Sequence, residues 1–552
     1  MTARQSDSTP VIDLLREKGT GPIRAQRPVY VDHLPPCNDA CPAGENIQAW
    51  LELAQAGKYR EAWETILRDN PFPAVHGRVC YHPCESHCNR GQLDSAVSIH
   101  AVERFLGDLA TAQGWSPPAA APPSGKRVLV VGGGPSGLAA AYHLARRGHA
   151  VEIRDAGPLP GGMLHFGIPA YRLPRADLMA EIGRIEAMGV RITLNHKVED
   201  LLAEQAEGRF DAVFIAIGAQ IGKHVDIPAR DAARVIDAIT MLHEVETGDL
   251  PRLGRRVIIY GGGNTAIDAA RMARRLGAEE ALIVYRRDRA HMPAQAFEAD
   301  EALSEGIKIR WLSTIKEIAE GELTVERMRL DERGRPQPTG QLETLSADSV
   351  VLALGQQTDS GFLRNVPGIG FAADGTMIVN AGLMTGRPGI FAGGDTIGGE
   401  RTVTAAVGHG KKAARYINAW LLGLTPRATA RHPVVAFDQL HLPIYTDAPP
   451  SVQSELPLQE RLDHGFAEIV SGLGEVEATY EARRCLSCGN CFECDQCYAA
   501  CPEQAIVKLG PGRRYRYDYD RCTGCAVCFE QCPCHAIEMS PEPAGALSEQ
   551  RS

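Results

Sequence analysis

Several absences narrow the chemistry open to this 552-residue chain. No cysteine lies between Cys88 and Cys485, so no C-x-x-C dithiol–disulfide couple can work in the long middle of the sequence. No uninterrupted apolar run reaches the ~18 residues of a membrane-spanning helix. The first residues, Met1 to Thr9, are polar and hold no apolar segment of a secretory signal. There is no surplus of positive charge either: 58 Lys and Arg stand against 68 Asp and Glu, for a net charge of -10 and a pI of about 6.0. That balance argues against nucleic acid as the main partner and leaves no basic patch for a membrane surface. No solenoid-type repeat is present.

What remains is ordinary globular composition, 44 % hydrophobic and 23 % charged, in a length that suits roughly three to four domains. The cysteines are unusual. Sixteen of them would suggest disulfides in a small secreted chain, but here they fall into two groups with metal-ligand spacing. The second group reads Cys491, Cys494, Cys497, Cys501-Pro502, then Cys522, Cys525, Cys528, Cys532-Pro533. This is C-x2-C-x2-C-x3-C-P written twice, the bacterial ferredoxin pattern in which the fourth cysteine of each run serves the other run's cluster. The spacing therefore assigns Cys491, Cys494, Cys497 and Cys532 to one 4Fe-4S cluster, and Cys522, Cys525, Cys528 and Cys501 to a second. Zinc also uses C-x2-C pairs, but rarely three steps closed by C-x3-C-P, and almost never in tandem. A chain with this pattern moves single electrons.

The sequence reads as a multidomain α/β protein. Residues 1–110 carry five cysteines among helix-like stretches such as Ile47 to Ala56 and Tyr59 to Asp69, and are expected to form an α-helical iron-sulfur domain. A Pro/Ala-rich linker covers 111–124. Residues 125–425 alternate apolar strands with helical periods, as doubly wound sheets do. They divide into two Rossmann-like dinucleotide-binding domains: FAD at 125–225 and 376–425, with NAD(P) inserted at 226–375. A Pro-rich linker, 426–480, leads to an α+β two-cluster ferredoxin domain at 481–540 and a polar tail, 541–552, expected to be disordered.

Two glycine fingerprints carry the nucleotide reading. The strand Val128 to Val131 runs into Gly132-Gly133-Gly134-Pro135-Ser136-Gly137 and then a helix. In this context Gly132 permits the tight turn, Gly134 lets a pyrophosphate approach the helix N-terminus, and Gly137 lets helix pack on strand. Asp155 follows the next strand, placed to accept from ribose hydroxyls. The second copy, after Val257 to Tyr260, is Gly261-Gly262-Gly263-Asn264-Thr265-Ala266. Its following strand ends in Arg286-Arg287, where an NAD site would often have an acid. Two guanidiniums suit a 2′-phosphate and lean towards NADP(H), against the alternative of a solvated basic turn. Further on, Gly393-Gly394-Asp395 ends a short strand, and a helix begins near Thr402. This is the second half of an FAD fold, with Asp395 facing the ribityl chain.

Residues 25 to 425 resemble the glutamate synthase small (β) subunit and the matching half of dihydropyrimidine dehydrogenase. The motifs are Cys80-x3-Cys84-x3-Cys88, the two glycine turns, Pro160-Gly161-Gly162-Met163, Phe166-Gly167-Ile168-Pro169, Tyr285-Arg286-Arg287 and Ala392-Gly393-Gly394-Asp395. The resemblance implies FAD contacts at Gly162, Met163 and Gly167. It also implies two N-terminal 4Fe-4S clusters. One would use Cys41, Cys80, Cys84 and a non-cysteine ligand, for which Glu103 is the candidate. The other would use Cys37 and Cys88, but the family's remaining R-C-L-x-C pair is absent upstream. The same motif occurs at Arg484-Cys485-Leu486-Ser487-Cys488, so Cys485 and Cys488 could fold back, within the chain or from a second subunit, to complete that site. The alternative is a loose thiol pair or a small separate metal site. Cys534 is left over.

By resemblance the chain would be an FAD-dependent NAD(P)H:acceptor oxidoreductase passing electrons between the nicotinamide and 4Fe-4S clusters. No amino-acid base is obligatory, and His291 reads as a surface or packing residue. The layout, with its extra C-terminal ferredoxin block, resembles the iron-sulfur flavoprotein associated with dissimilatory sulfite reductase and the flavin subunits that accompany 2-oxoacid:ferredoxin oxidoreductases. The expected partner is therefore a large redox subunit or a ferredoxin, in a homodimer or hetero-oligomer, in the cytoplasm. A glutamate synthase small subunit, a subunit of an electron-bifurcating NADH-dependent ferredoxin:NADP oxidoreductase and a non-enzymatic relay subunit are the alternatives. Pyrimidine reduction is not expected, since there is no room for the FMN barrel of dihydropyrimidine dehydrogenase between residue 425 and the ferredoxin block.

Overall fold

The computed structural model describes residues 24–222, 234–319, 321–426, 432–443, 445–463 and 465–543. The polar start of the chain and nearly all of the tail expected to be disordered lie outside these residues, as does the first boundary between the two nucleotide folds.

The first glycine turn belongs to a five-stranded parallel sheet ordered Ile390–Ala392, Ala212–Ile215, Arg127–Val131, Ala150–Arg154, Arg191–Thr193. Its central strands are continuous apolar runs because helices cover both faces. Between Ala212–Ile215 and Ile390–Ala392 the chain builds a second parallel sheet, ordered Lys308–Arg310, Glu280–Val284, Arg256–Tyr260, Ser349–Leu352, Arg234–Asp237. A three-stranded antiparallel sheet, Ser313–Ala319, Glu322–Leu330 and Pro336–Ser346, is attached to it. The first nucleotide fold is thus completed only after the second has been inserted.

In the second fold, Arg271 and Arg275 of the helix Asn264–Arg275 bond Glu305 at 2.7 and 2.8 Å, and both guanidiniums stand over the Tyr171 ring. Burial alone would push the Glu305 carboxyl up, but the hydrogen bonds from Arg275 and Arg271 outweigh it and hold it at about 2. The folded value lies below the ordinary ~4.3, so the stabilisation is complete above that value and is lost as pH falls towards 2. Glu305→Gln is expected to flatten the acid limb of the melting temperature in that window; a limb identical to wild type would refute it.

Val75 and Val79 of the helix Pro73–Val79 enter the core of the first nucleotide fold, while the N-terminal helices Ile47–Gln55, Tyr59–Ile66 and Ile99–Ala112 pack around Trp50, Leu51, Ile66 and Leu106. They join the first nucleotide fold at the helix Val403–Leu421, where a Cβ on Gly408 would stand 2.1 Å from the Pro42 carbonyl oxygen. Here only glycine allows the approach.

Two features depart from the sequence reading of separate terminal blocks. Residues Gln26–Tyr30, expected in the helical block, form an antiparallel pair with Ile537–Pro541 of the ferredoxin block, and Tyr30 stacks on Tyr517 at 5.0 Å. The C-terminal helix Glu475–Arg483 packs Ala482 into the N-terminal helical core. Residues 426–480 are also more than a connector. Glu468 pairs with buried Arg78 and Arg104 at 2.7 and 2.9 Å, and Ile469 enters the core of the second nucleotide fold. Both arginines need carboxylate partners once buried; Asp108 pairs with both, and this segment adds Glu468. Among the described residues, no helix is long and apolar enough to cross a membrane.

Candidate functional site

A cavity of about 780 Å³ opens between the two nucleotide folds. From the first fold it is lined by Gly132, Gly134, Pro135, Ser136, Asp155, Gly162, Met163, Gly167, Gly394, Asp395 and Thr402, and from the second by Gly263, Asn264 and Thr265. Gly137 lies behind the wall, where a Cβ would stand 2.0 Å from the Gly132 carbonyl oxygen. Gly261 and the buried Ala266 likewise support the second turn rather than line the cavity.

The wall is built to receive a dinucleotide. A Cβ on Gly134 or Gly263 would meet nothing within 4 Å, which leaves both helix N-termini open to an approaching pyrophosphate. Buried Ser136 faces the cavity with its hydroxyl unbonded. The Asp155 carboxylate is oriented by the backbone N–H groups of Gly133 and Gly157, at 2.6 and 2.7 Å, and its remaining lone pairs can accept from ribose. Burial pushes the Asp395 carboxyl up, with Arg401 pulling it back. Thr402 caps the helix Val403–Leu421 by accepting from Ala405 N–H. These residues fit a bound FAD.

The second turn is less free. The Asn264 amide donates to Tyr81 Oη at 2.6 Å, and its oxygen accepts from Gln295 N–H at 2.9 Å. Arg286 and Arg287 do not line the cavity. Arg286 is exposed and Arg287 half-buried, and the buried Nε of Arg287 has no hydrogen-bond partner. His291 is exposed and bonds Asp288 at 2.6 Å, away from the cavity wall. Sequence reasoning gave Arg172 no role, yet it lines the cavity, pairs with Asp268 at 2.8 Å and also bonds Glu298. Asp268 stands two residues beyond the glycine turn, but only the structure shows what it pairs with.

The cysteines fall into four groups. Cys501, Cys522, Cys525 and Cys528 surround one small cavity. Cys491, Cys494, Cys497 and Cys532 are mutual neighbours beside it, with Cys534 Sγ 3.8 Å from Cys532 Sγ. Cys41, Cys80 and Cys84 gather at the N-terminal block. Glu103 lies against them in a buried cluster with Glu45 and His76, and Asn70 donates to both carboxylates at 3.0 and 2.8 Å. Burial, reinforced by Glu45, pushes the Glu103 carboxyl far up. Cys37, Cys88, Cys485 and Cys488 line a further cavity. Burial also pushes lone thiols up, Cys80 and Cys491 to about 12; bound iron would deprotonate them outright.

An NAD(P)-type fold inserted in an FAD-type fold, with one shared cavity and cysteine groups beside it, defines an iron-sulfur flavoprotein oxidoreductase. The chain belongs to the pyridine nucleotide-disulphide oxidoreductase family, whose model matches residues 126–410. The model for dihydropyrimidine dehydrogenase domain II, 4Fe-4S cluster, matches 18–115, and that for a 4Fe-4S dicluster domain matches 490–536. Among similar proteins, the NADP(+)-dependent formate dehydrogenase subunit beta of Moorella thermoacetica is 35 % identical over 522 residues, 86 % of this chain and 73 % of that one. The NADPH-Fe(3+) oxidoreductase subunit beta of Geobacter sulfurreducens is 35 % identical over 550 residues, 88 % and 81 %. The NADPH glutamate synthase small chain of Escherichia coli is 32 % identical over 418 residues, 70 % and 89 %. The protein is accordingly an FAD-dependent oxidoreductase that links NAD(P)H to 4Fe-4S clusters. The disulphide chemistry in the family's name has no counterpart here, since residues 89–484 hold no cysteine.

Proposed function

We propose that this chain is the NAD(P)H-handling subunit of a larger redox assembly, exchanging electrons with a large partner enzyme of the sulfite reductase or 2-oxoacid oxidoreductase type. Cys80 carries the reading. Its neighbours Val79 and Tyr81 line the dinucleotide cavity, and its Sγ accepts from Thr404 Oγ1 at 3.0 Å, in the first turn of the helix that Thr402 caps. Iron held by Cys41, Cys80, Cys84 and Glu103 would therefore adjoin the nucleotide site.

FAD would be held by Gly132, Gly134, Ser136, Asp155, Met163, Asp395 and Thr402, and would supply conversion between a hydride and single electrons. Asp155 orients the ribose, Gly134 admits the pyrophosphate, and the Arg172–Asp268 pair fixes one fold against the other. At the far end Cys525 is the exposed cysteine among the sixteen, which supports the ferredoxin block as the face presented to a partner. The relatives named as beta subunits support such an assembly. The match to the glutamate synthase small chain spans only 70 % of this chain.

The test is an anaerobic titration with NADPH and then NADH, followed by flavin absorbance and iron-sulfur EPR. NADPH is expected to reduce both centres. Bleached flavin with oxidised iron would reverse the direction, from partner to NAD(P)+; no reduction by either nucleotide would overturn the proposal. Replacing Arg286 and Arg287 together by alanine is expected to lower kcat/KM for NADPH about 10- to 100-fold through KM, the value of one charge-assisted hydrogen bond of about 1.5–3 kcal/mol. Kinetics with NADH should barely change; an equal loss with both nucleotides would dismiss the 2′-phosphate role.

A further inference from the structure

We infer that Cys37, Cys88, Cys485 and Cys488, drawn from the two ends of the chain, bind one 4Fe-4S cluster that joins the N-terminal iron site to the ferredoxin block. The matched iron-sulfur models end at residue 115 and begin at residue 490, so the second pair lies outside both.

The four thiols, each half-buried, line a single small cavity within one chain, together with Pro36, Leu51 and Leu486. They are neighbours of one another: Cys485, Cys88 and Cys488 all bear on the Cys37 thiol. Four thiols and no imidazole line the cavity. This is the all-sulfur donor set of a 4Fe-4S cluster; zinc takes the same set, and metal content distinguishes them. Two N–H groups already point at the sulfurs: Asn89 Nδ2 donates to Cys488 Sγ at 3.5 Å, and Ser487 N–H donates to Cys485 Sγ at 3.4 Å. Such donors stabilise thiolates and tune a cluster's potential.

A dedicated anchor holds the distant pair in place. Arg484, 2 % exposed, donates to the carbonyls of Ala96 and Ser95 at 3.0 and 2.6 Å and pairs with Glu481 and Asp94. Gln48 reaches Ser487 Oγ at 3.5 Å.

The position makes this site a bridge. Cys37 and Cys88 are each four residues from a thiol of the first iron group, Cys41 and Cys84. Cys488 is three residues from Cys491 of the ferredoxin block, a reach of at most about 11 Å. Tyr445 fills the gap, packed with Leu486 and Cys488, and the thiols of Cys485, Cys534, Cys494 and Cys488 all bear on its phenol. As a relay the cluster takes one electron from its neighbour and passes one on, with no bond made or broken; NAD(P)H is the ultimate reductant. The relay role rests on the proposed function; the cluster itself does not.

Metal analysis of the full chain, purified anaerobically, separates the two. Cys485→Ser/Cys488→Ser and Cys37→Ser/Cys88→Ser are each expected to lose about four irons per chain, and the fourfold variant no more than either pair. Flavin content at the wild-type level reports an intact fold. Iron retained by either pair variant, additive loss in the fourfold variant, or loss of zinc instead of iron would overturn the assignment. Should a pair variant fail to fold, Cys488→Ser alone is expected to keep the iron and shift one EPR signal; unchanged spectra would overturn it. For the relay, the pair variants should slow reduction of the ferredoxin block by NADPH at least about 100-fold. An unchanged rate with iron missing overturns the bridge alone, and a wild type that NADPH cannot reduce overturns the proposed function alone.

Discussion

Cys80→Ala is expected to leave NADPH-dependent bleaching of the flavin intact and to slow reduction of the ferredoxin block at least about 100-fold, the upper end of what disturbing a metal site's support costs. Cys80 is where the nucleotide cavity and the iron groups touch. Val79 and Tyr81 line the cavity, and Thr404 bonds the sulfur from the first turn of the helix Val403–Leu421. Burial pushes the lone thiol up to about 12, so without iron it is a neutral, unreactive group. Removing the sulfur deletes a ligand and leaves the cavity wall standing, because the glycine turns, Asp155 and Asp395 belong to other elements. Thr404→Val, which removes only the hydrogen bond, should have a much smaller effect. Stopped-flow absorbance with rapid-freeze EPR measures both phases, and an unchanged iron phase in Cys80→Ala would place the entry point elsewhere.

Arg484→Ala is expected to cost about 3–5 kcal/mol, the penalty for breaking a buried ion pair from one side. Glu481, fully buried, accepts from Arg484 at 2.9 Å, and Asp94 at 3.2 Å. The substitution leaves Glu481 without its cation and the Ser95 and Ala96 carbonyls without their donor. Asp94 retains Arg90 at 2.5 Å, so the damage centres on the helix Glu475–Arg483 and the loop after it. The expected result is a lower unfolding midpoint in denaturant, with early proteolysis between the helical and ferredoxin blocks. Arg484→Lys restores the charge but not the planar fork and should recover part of the loss. A midpoint within error of wild type would show that the other contacts between the ends, among them the Gln26–Tyr30 strand pairing and the packing of Ala482, suffice without Arg484.

Local spacing carried much of this molecule. The strand–glycine–helix turns at Gly132 and Gly261 and the acid at Asp155 could be read directly, because each is set by neighbouring residues; the insertion of one nucleotide fold in another was read from the order in which these local patterns and Gly393-Gly394-Asp395 follow one another along the chain. The ferredoxin cysteines were legible for the same reason: C-x2-C-x2-C winds the chain around one corner of a cluster. No apolar run in the sequence reaches the ~18 residues of a spanning helix, and residues 89–484 hold no cysteine, so no C-x-x-C couple lies within either nucleotide fold.

Other features required the fold. The duplicated motif around Cys485 raised the question of a partner, but only packing brings Cys485 and Cys488 to Cys37 and Cys88, some four hundred residues away. The pairing of Gln26–Tyr30 with Ile537–Pro541 leaves no periodic trace, since either strand could have found another edge. Arg172 carries no motif that marks it, and its bonds to Asp268 and Glu298 across the two nucleotide folds appear only in the structure. Residues 426–480 read as a linker because their proline content says only that they are extended; their burial against Arg78 and Arg104 is decided by charges elsewhere in the chain. Sequence by itself determined which candidate ligands and turns the chain offers, because bond geometry limits what adjacent residues can do. Tertiary structure alone decided which of them meet, because burial and charge pairing are settled between segments that share no local pattern.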